Sequence, residues 1–223
     1  MLNETDYRVR FEIYKTLADG VRPSVAILAP KVRLPQPAVY ESLERLKTEK
    51  VLILDPHTRE IKVAMPFSIV ETPFRVLIGE HTYHACSAWD AFGIALMLGG
   101  GDATVTTTCA DCDGPIVHRV VQKQLAEAAG VAHFAVPAAQ WWNNIFYTFE
   151  TIRFFRNDDH VTEWSAQTET PIGEIVPVAN LWQLSRHWFE NRMSPDWRKP
   201  QRTVLQEMLK DHGFTGPFWS LTG

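Results

Sequence analysis

The spacing of apolar residues predicts three helices in the N-terminal part of the chain. The first helix is expected over residues 9–17, with a stop signal at Gly20. The second is expected to be short, with Ser24 as its cap and Pro30 closing it. A stripe of apolar residues on an otherwise polar segment predicts the third helix over residues 34–50.

Two short strands around a Pro-His-Thr turn follow over residues 51–65. Three helices and a β-ribbon in this order are typical of a winged helix, so residues 1–66 are predicted to form a winged-helix-like N-terminal unit. The unit carries 11 Lys/Arg and 9 Asp/Glu, a net charge of 11 − 9 = +2. Phosphate contacts supply most non-specific DNA affinity, so this small charge favours a structural or interaction module over a nucleic-acid partner.

Residues 67–223 are predicted to form a mixed α/β domain, which makes the whole chain an α+β protein. Strand-like runs are expected at residues 74–78, 103–109, 116–121 and 133–137, and the aromatic segment 143–155 is also β-rich.

Helices of this second part are predicted from long apolar or amphipathic stretches. A buried helix follows Ser87, and Gly99-Gly100-Gly101 is expected to end it. A later helix has Thr162 as its candidate cap, and the last helix is expected to end at Gly213.

Composition narrows the class of protein further. The 223 residues are 45% apolar with a net charge of −4, and no apolar run approaches the ~20 residues of a membrane span. An odd count of three cysteines is typical of a reducing compartment, so a cytoplasmic protein without membrane contact is expected.

Eight Trp, 12 Phe and 5 Tyr predict extensive cores or an aromatic-lined pocket. Glycine-rich nucleotide motifs are missing from the sequence, so no bound cofactor is expected.

Asp90 is the most informative candidate for chemistry, since it is the one charged residue of the apolar helix that follows Ser87. A carboxylate there could simply cap the helix, because free N–H groups favour negative charge at that end. Alternatively, burial beside rings such as Trp89 would raise its pKa and make it a general acid or base.

The role of each of the three cysteines has more than one interpretation. Cys86 lies at the start of the same helix, where a lowered pKa of its thiol would make it a nucleophile or a soft-metal ligand. Alternatively, it is a buried thiol that acts as a small hydrophobic side chain. Cys109 and Cys112 form a single C-x-x-C, either half of a zinc site or a redox pair. A zinc site would take its further ligands from Asp111, Asp113 or His118.

The segment CSAWDAFGIALMLGGGDATVTTTCADCDGPIVHRV, at residues 86–120, resembles the organomercurial (alkylmercury) lyases, which carry a W-C-A-x-D motif at the start of a buried helix. A second segment, RFFRNDDHVTEW at residues 153–164, is similar to the H-F-F…E-D-W segment of that family. The resemblance implies a winged-helix-like region followed by a mixed α/β catalytic domain. It also implies that two cysteines bind the mercury and that an aspartate relays the proton that cleaves the carbon–mercury bond.

Carried over residue by residue, the resemblance places Asp90 on the aspartate of the family. Ser87 stands where the first cysteine should be, with Cys86 one residue away, and Phe149 stands where the second should be. The chain is therefore identified as a divergent member that lacks the usual cysteine pair.

The resemblance implies a lyase in which Asp90 is the proton relay and Cys86 or Ser87 binds an organometallic substrate or its metal. A low-molecular-weight thiol is the expected partner for the missing cysteine. Four rings are expected to line the substrate pocket, those of Trp89, Trp141, Trp142 and Phe149. Two alternatives remain. The first is a non-catalytic protein that binds a ligand or soft metal and whose winged helix transmits this binding to DNA or to a partner. The second is an unrelated small-molecule lyase on the same scaffold.

Overall fold

The computed structural model describes residues 1–98, 100 and 102–222. Three helices open the chain: α1 (Glu4–Ala18), α2 (Val25–Val32) and α3 (Gln36–Thr48). Ser24 caps α2 as predicted, since its side chain accepts a hydrogen bond from the backbone N–H of Ile27.

Pro30 was expected to close α2, and this expectation is wrong. Pro30 lies inside the helix, which continues to Val32 and ends where Arg33 takes a left-handed conformation with φ 55°. The proline ring already has a helical φ, and its missing N–H removes only one hydrogen bond of the helix.

In the part of the chain that the structure describes, the main sheet is antiparallel and has eight strands in the order β1-β2-β3-β5-β4-β6-β7-β8. Its strands are β1 (Leu52–Leu54), β2 (Ile61–Ala64), β3 (Phe67–Ser68), β4 (Arg75–Ile78), β5 (His81–Ala85), β6 (Ala103–Thr108), β7 (Pro115–Val121) and β8 (Gln124–Leu125). The predicted ribbon, β1 and β2, is thus continuous with the strands that follow it, because β3 pairs with both β2 and β5. The division at residue 66 and the winged-helix assignment stay predictions.

Helix α4 (Ala88–Leu98) packs on this sheet, on strands β4, β5 and β6. Its residues from Ala88 to Ala95 are all buried, as its apolar sequence predicts. Two of the three glycines expected to end the helix, Gly99 and Gly101, lie outside the described residues.

A second antiparallel sheet has three strands in the order β10-β9-β11. The remaining elements are β9 (Val131–Phe134), α5 (Ile145–Thr151), β10 (Arg153–Phe155), α6 (Asp158–Thr168), β11 (Glu174–Pro177), α7 (Val178–Trp188) and α8 (Arg202–Asp211). Helix α7 packs against α4, and α8 packs against α7. Within the described residues, none of the helices is long and apolar enough to cross a membrane.

Two local predictions in this second part are wrong. The β-rich segment 143–155 contains helix α5, started by the side chain of Asn144, and only its end forms strand β10. Thr162 lies within α6, where its hydroxyl donates to the carbonyl of Asp158, and Asn157 is the actual cap. Gly213 follows the last helix with φ 82°, as expected.

Candidate active site

A pocket of about 670 Å³ lies at the N-terminal end of α4. Six of the seven predicted site residues line it: Ser87, Trp89, Asp90, Trp141, Trp142 and Phe149. The seventh, Cys86, is not among the lining residues. The pocket thus brings Ser87 and Asp90 together with four aromatic side chains and does not include the neighbouring Cys86.

Ser87 and Asp90 form a hydrogen-bonded pair at the entry of α4. The Ser87 hydroxyl donates to Oδ2 of Asp90 over 2.7 Å, and the backbone N–H of Asp90 donates to the same hydroxyl oxygen over 3.2 Å. The carbonyl of Ser87 accepts the N–H of Ala91. Because the two side chains are three residues apart on one helical turn, the start of the helix itself fixes the carboxyl group.

Asp90 is built to hold a proton near neutral pH. Burial raises its pKa from 3.8 to about 7, and the hydrogen bond from Ser87 and the charge of Arg192 only partly oppose this rise. The direction agrees with the expectation from its apolar neighbours. A carboxyl group with such a pKa can donate a proton and take it back at neutral pH.

Cys86 lies in a different environment, although it precedes Ser87 directly. Its side chain belongs to a small apolar cluster with Val63 and Phe149. Burial and the nearby charge of Asp90 raise the pKa of Cys86 well above its ordinary value, so the expected lowering by the helix N-terminus is wrong. Cys86 lies before α4 begins, and its packing with Val63 and Phe149 separates it from the pocket lining.

Aromatic rings form one side of the pocket. The ring of Trp89 lies 5.7 Å from that of Trp141 and 4.9 Å from that of Trp188, between ring centroids. Trp141 is fixed by its indole N–H, which donates to the carbonyl of Val136 over 2.9 Å. Phe149, where the second cysteine of the family would stand, both lines the pocket and contacts the Cys86 cluster.

Sequence reasoning missed the side of the pocket formed by distant parts of the chain. Tyr14 on α1 and Arg192 after α7 both line it. Arg10 supports them: its guanidinium lies 4.5 Å from the Tyr14 ring centroid and 3.8 Å from that of Trp197, and it donates to the Arg192 carbonyl over 2.6 Å. One feature of the sequence indicates this side of the pocket: a charged residue, Arg10, directly follows Val9 in the apolar pattern of α1.

The C-x-x-C lies at the turn between β6 and β7, outside the pocket lining. Its candidate metal partner is His160 of α6, because the ligand atoms of Cys109, Cys112 and His160 all lie within 4.8 Å of one another. His118 was considered as a ligand but packs instead between the rings of Phe92 and Phe154, where burial lowers its pKa to about 4.

The fold and the site together define an α+β protein with a buried carboxyl group of raised pKa in a pocket lined by aromatic rings. The sequence pattern of the family described as MerB: Alkylmercury lyase matches residues 67–190, more than half of the chain. The chain therefore belongs to the alkylmercury lyase family, which confirms the resemblance seen in the sequence.

Comparison with solved structures gives the same fold. The chain is similar to the crystal structure of the mercury-bound form of MerB2, with a TM-score of 0.69 and 18% sequence identity. The match covers 86% of this chain and 93% of that chain, and it confirms the α+β class. None of the curated proteins matches the sequence.

Proposed function

We propose that the protein is an alkylmercury-lyase-like enzyme that protonates the carbon of a carbon–mercury, or related carbon–metal, bond with Asp90 as the proton donor. The observation that carries this proposal is the Asp90 carboxyl group, buried at the pocket beside Ser87 with a pKa of about 7. Membership of the alkylmercury lyase family and the similarity to a protein crystallised with mercury supply the substrate class.

The contacts of the two candidate ligands favour Ser87 over Cys86 at the substrate. Mercury prefers thiolates, but the Cys86 thiol is buried in an apolar cluster, and burial keeps it protonated. Ser87 is among the residues that line the pocket, and its hydroxyl is already hydrogen-bonded to Asp90. Ser87 would therefore contact the metal or orient the acid, and low-molecular-weight thiols would supply the sulfur ligands.

The reaction then balances with two small thiols. An organomercurial that carries one thiolate enters the pocket, and Asp90 gives its proton to the carbon, so that the hydrocarbon leaves. A second small thiol becomes a thiolate on the mercury and returns its proton to Asp90. The positive charge of Arg192 favours the ionised Asp90 that exists between these two steps.

The test is release of benzene from phenylmercury in the presence of excess small thiol. We expect Asp90→Asn to lower turnover by about 10²–10⁴-fold, the usual contribution of a general acid, and Ser87→Ala to lower it less. Asp159→Asn is the matched control, since it makes the same change at an exposed position outside the pocket lining.

Cys86→Ser separates the two possible ligands. Full loss of turnover in this variant would assign the substrate to the buried thiol, whereas near-normal turnover would assign it to Ser87. Absence of benzene release by the parent protein, or full turnover by Asp90→Asn, would reject the lyase proposal and leave ligand or soft-metal binding without turnover.

A further inference from the structure

The turn between β6 and β7 and the first turn of α6 bring together a second cluster of side chains that can bind a metal ion. We propose that Cys109, Cys112 and His160 bind one zinc ion, which ties this turn to α6. The site is independent of the proposed lyase reaction, because none of the three residues is among those that line the pocket.

The backbone of the turn presents both cysteines to the same place. The N–H of Cys109 donates to the carbonyl of Gly114 over 2.8 Å, and the N–H of Asp113 donates back to the carbonyl of Cys109 over 3.0 Å. Asp113 has a φ of 54°, which closes the turn. A C-x-x-C in a tight turn of this kind supplies two sulfur ligands from one short segment.

The sulfur of Cys109 is surrounded by donors. Backbone N–H groups of Asp111, Cys112 and Arg156 are directed at it. These N–H groups would hydrogen-bond to the negatively charged sulfur of a metal-bound cysteine, as groups around metal ligands commonly do.

His160 completes the set from the neighbouring helix. The Asn157 side chain caps α6 by accepting the N–H of His160, which fixes the histidine in the first turn. Its Nδ1 is hydrogen-bonded to Oδ2 of Asp111 over 2.5 Å, so Nε2 is the nitrogen left for a metal. A carboxylate that orients a ligating histidine in this way is a regular companion of zinc sites.

The spacing and chemistry of the three side chains fit zinc. Their ligand atoms all lie within 4.8 Å of one another. Tetrahedral bonds of about 2.3 Å to sulfur and about 2.0–2.1 Å to nitrogen require separations of about 3.5–3.8 Å, so a contraction of about 1 Å suffices. Two thiols and an imidazole select zinc over magnesium or calcium.

Binding would release the two thiol protons to solvent and leave the imidazole neutral. No fourth side chain joins the set of Cys109, Cys112 and His160 in the described part of the chain, so a water molecule would take the fourth position.

The test is the zinc content of the reduced full-length protein after addition of zinc and dialysis. We expect about one equivalent per chain, with little left in Cys112→Ser or His160→Gln. Cys86→Ser is the matched thiol control and should keep its zinc. Asp111→Asn should weaken zinc affinity by about 10–100-fold, as expected for a group that orients a ligand.

Cobalt provides a direct spectroscopic readout of the sulfur ligands at the metal. Cobalt added to the parent protein should give the strong sulfur-to-metal charge-transfer absorption of a two-thiolate site, and Cys112→Ser should lose about half of it. The proposal is overturned if the parent protein binds no zinc, if Cys112→Ser and His160→Gln bind it as tightly as the parent, or if Cys109 and Cys112 form a disulfide that resists reduction.

Discussion

At the scale of single residues, Asp90 shows how one position of the chain controls chemistry through its surroundings. Its carboxyl group accepts a hydrogen bond from Ser87 and interacts electrostatically with the positive charge of Arg192, and both interactions favour ionisation. Burial outweighs them and raises the pKa to about 7. The acid is therefore sensitive to any change that lets water reach the start of α4.

The pH dependence of turnover should report this pKa. Since the protonated carboxyl is the proposed donor, we expect kcat for benzene release to fall as pH rises through about 7. The measurement is kcat at saturating organomercurial and thiol across the neutral range, with substrate saturation checked at each pH. A kcat that rises through this range instead would mean that the ionised form of Asp90 acts.

Stability should change with pH in the same region. A carboxyl group whose pKa is raised on folding binds its proton more tightly in the folded chain, so its contribution is complete below about pH 4 and is lost as pH rises to about 7. A rise from 3.8 to about 7 corresponds to about 4 kcal/mol. Asp90→Asn should therefore be more stable than the parent at about pH 8, by up to this amount, and similar to it at about pH 3.5, where the carboxyl is protonated in both the folded and the unfolded chain.

Urea unfolding of both proteins at the two pH values measures this difference. Asp159→Asn removes an exposed carboxyl and keeps Asp90, so it serves as the comparison and should show the same change of stability between the two pH values as the parent. An equal difference between parent and Asp90→Asn at both pH values would mean that Asp90 does not titrate in this range.

The sequence predicted the parts of the site that depend on local spacing. Ser87 and Asp90 are three residues apart at a helix entry, so their proximity follows from the helix alone. The behaviour of Cys86 depends on Val63 and Phe149, which distant segments bring to it. No local pattern contains such contacts, and for the same reason Tyr14 and Arg192 were missed.

At the scale of secondary structure, α4 is held against the segment after α7 by a close approach at Gly93. A Cβ atom built on Gly93 would lie 2.6–2.8 Å from three ring atoms of Phe189, a residue that is only 3% exposed. The glycine therefore makes room for an aromatic ring in the core rather than allowing an unusual backbone conformation.

Gly93→Ala should destabilise the protein for this reason. Alanine normally stabilises a helix interior relative to glycine by about 1 kcal/mol, but a methyl group here would overpack the core and cost about 1–3 kcal/mol. Urea unfolding of Gly93→Ala and of Gly93→Ala/Phe189→Leu measures the effect, and the second substitution should relieve part of the strain. A net stabilisation by the single substitution would show that the Phe189 ring moves freely.

Elements were predicted well where apolar spacing was strong and poorly where residue preferences conflicted. The stripe of α3 and the apolar run of α4 each indicated one helix, and both are present. The segment of α5 is rich in aromatic and β-branched residues, which favour strands, yet the Asn144 cap and burial of Thr148 and Phe149 make it helical. Tertiary packing there outweighs intrinsic preference.

At the scale of the whole molecule, the main sheet connects the helices of the N-terminal region to the rest of the chain. Strand β3 pairs with β2 on one side and with β5 on the other. Arg10 of α1 also donates a hydrogen bond to the carbonyl of Arg192, after α7. The boundary predicted at residue 66 is thus crossed by backbone pairing and by a buried side chain.

Unfolding should therefore occur in a single transition. All eight tryptophans lie after residue 66, so their fluorescence reports mainly the second part of the chain and, through Trp197 against Arg10, its contact with α1. Far-ultraviolet circular dichroism also reports the helices α1, α2 and α3 themselves. We expect the two signals to give the same urea midpoint. A lower midpoint by circular dichroism would show that residues 1–66 unfold first as a separate unit.

The pocket is also lined by residues that lie far apart in the sequence. Met1 and Leu2 line it together with Leu221. A purification tag joined before Met1 would therefore begin beside the pocket lining. Such a tag would hinder the entry of bulky ligands, so binding and turnover should be measured on protein from which the tag has been removed.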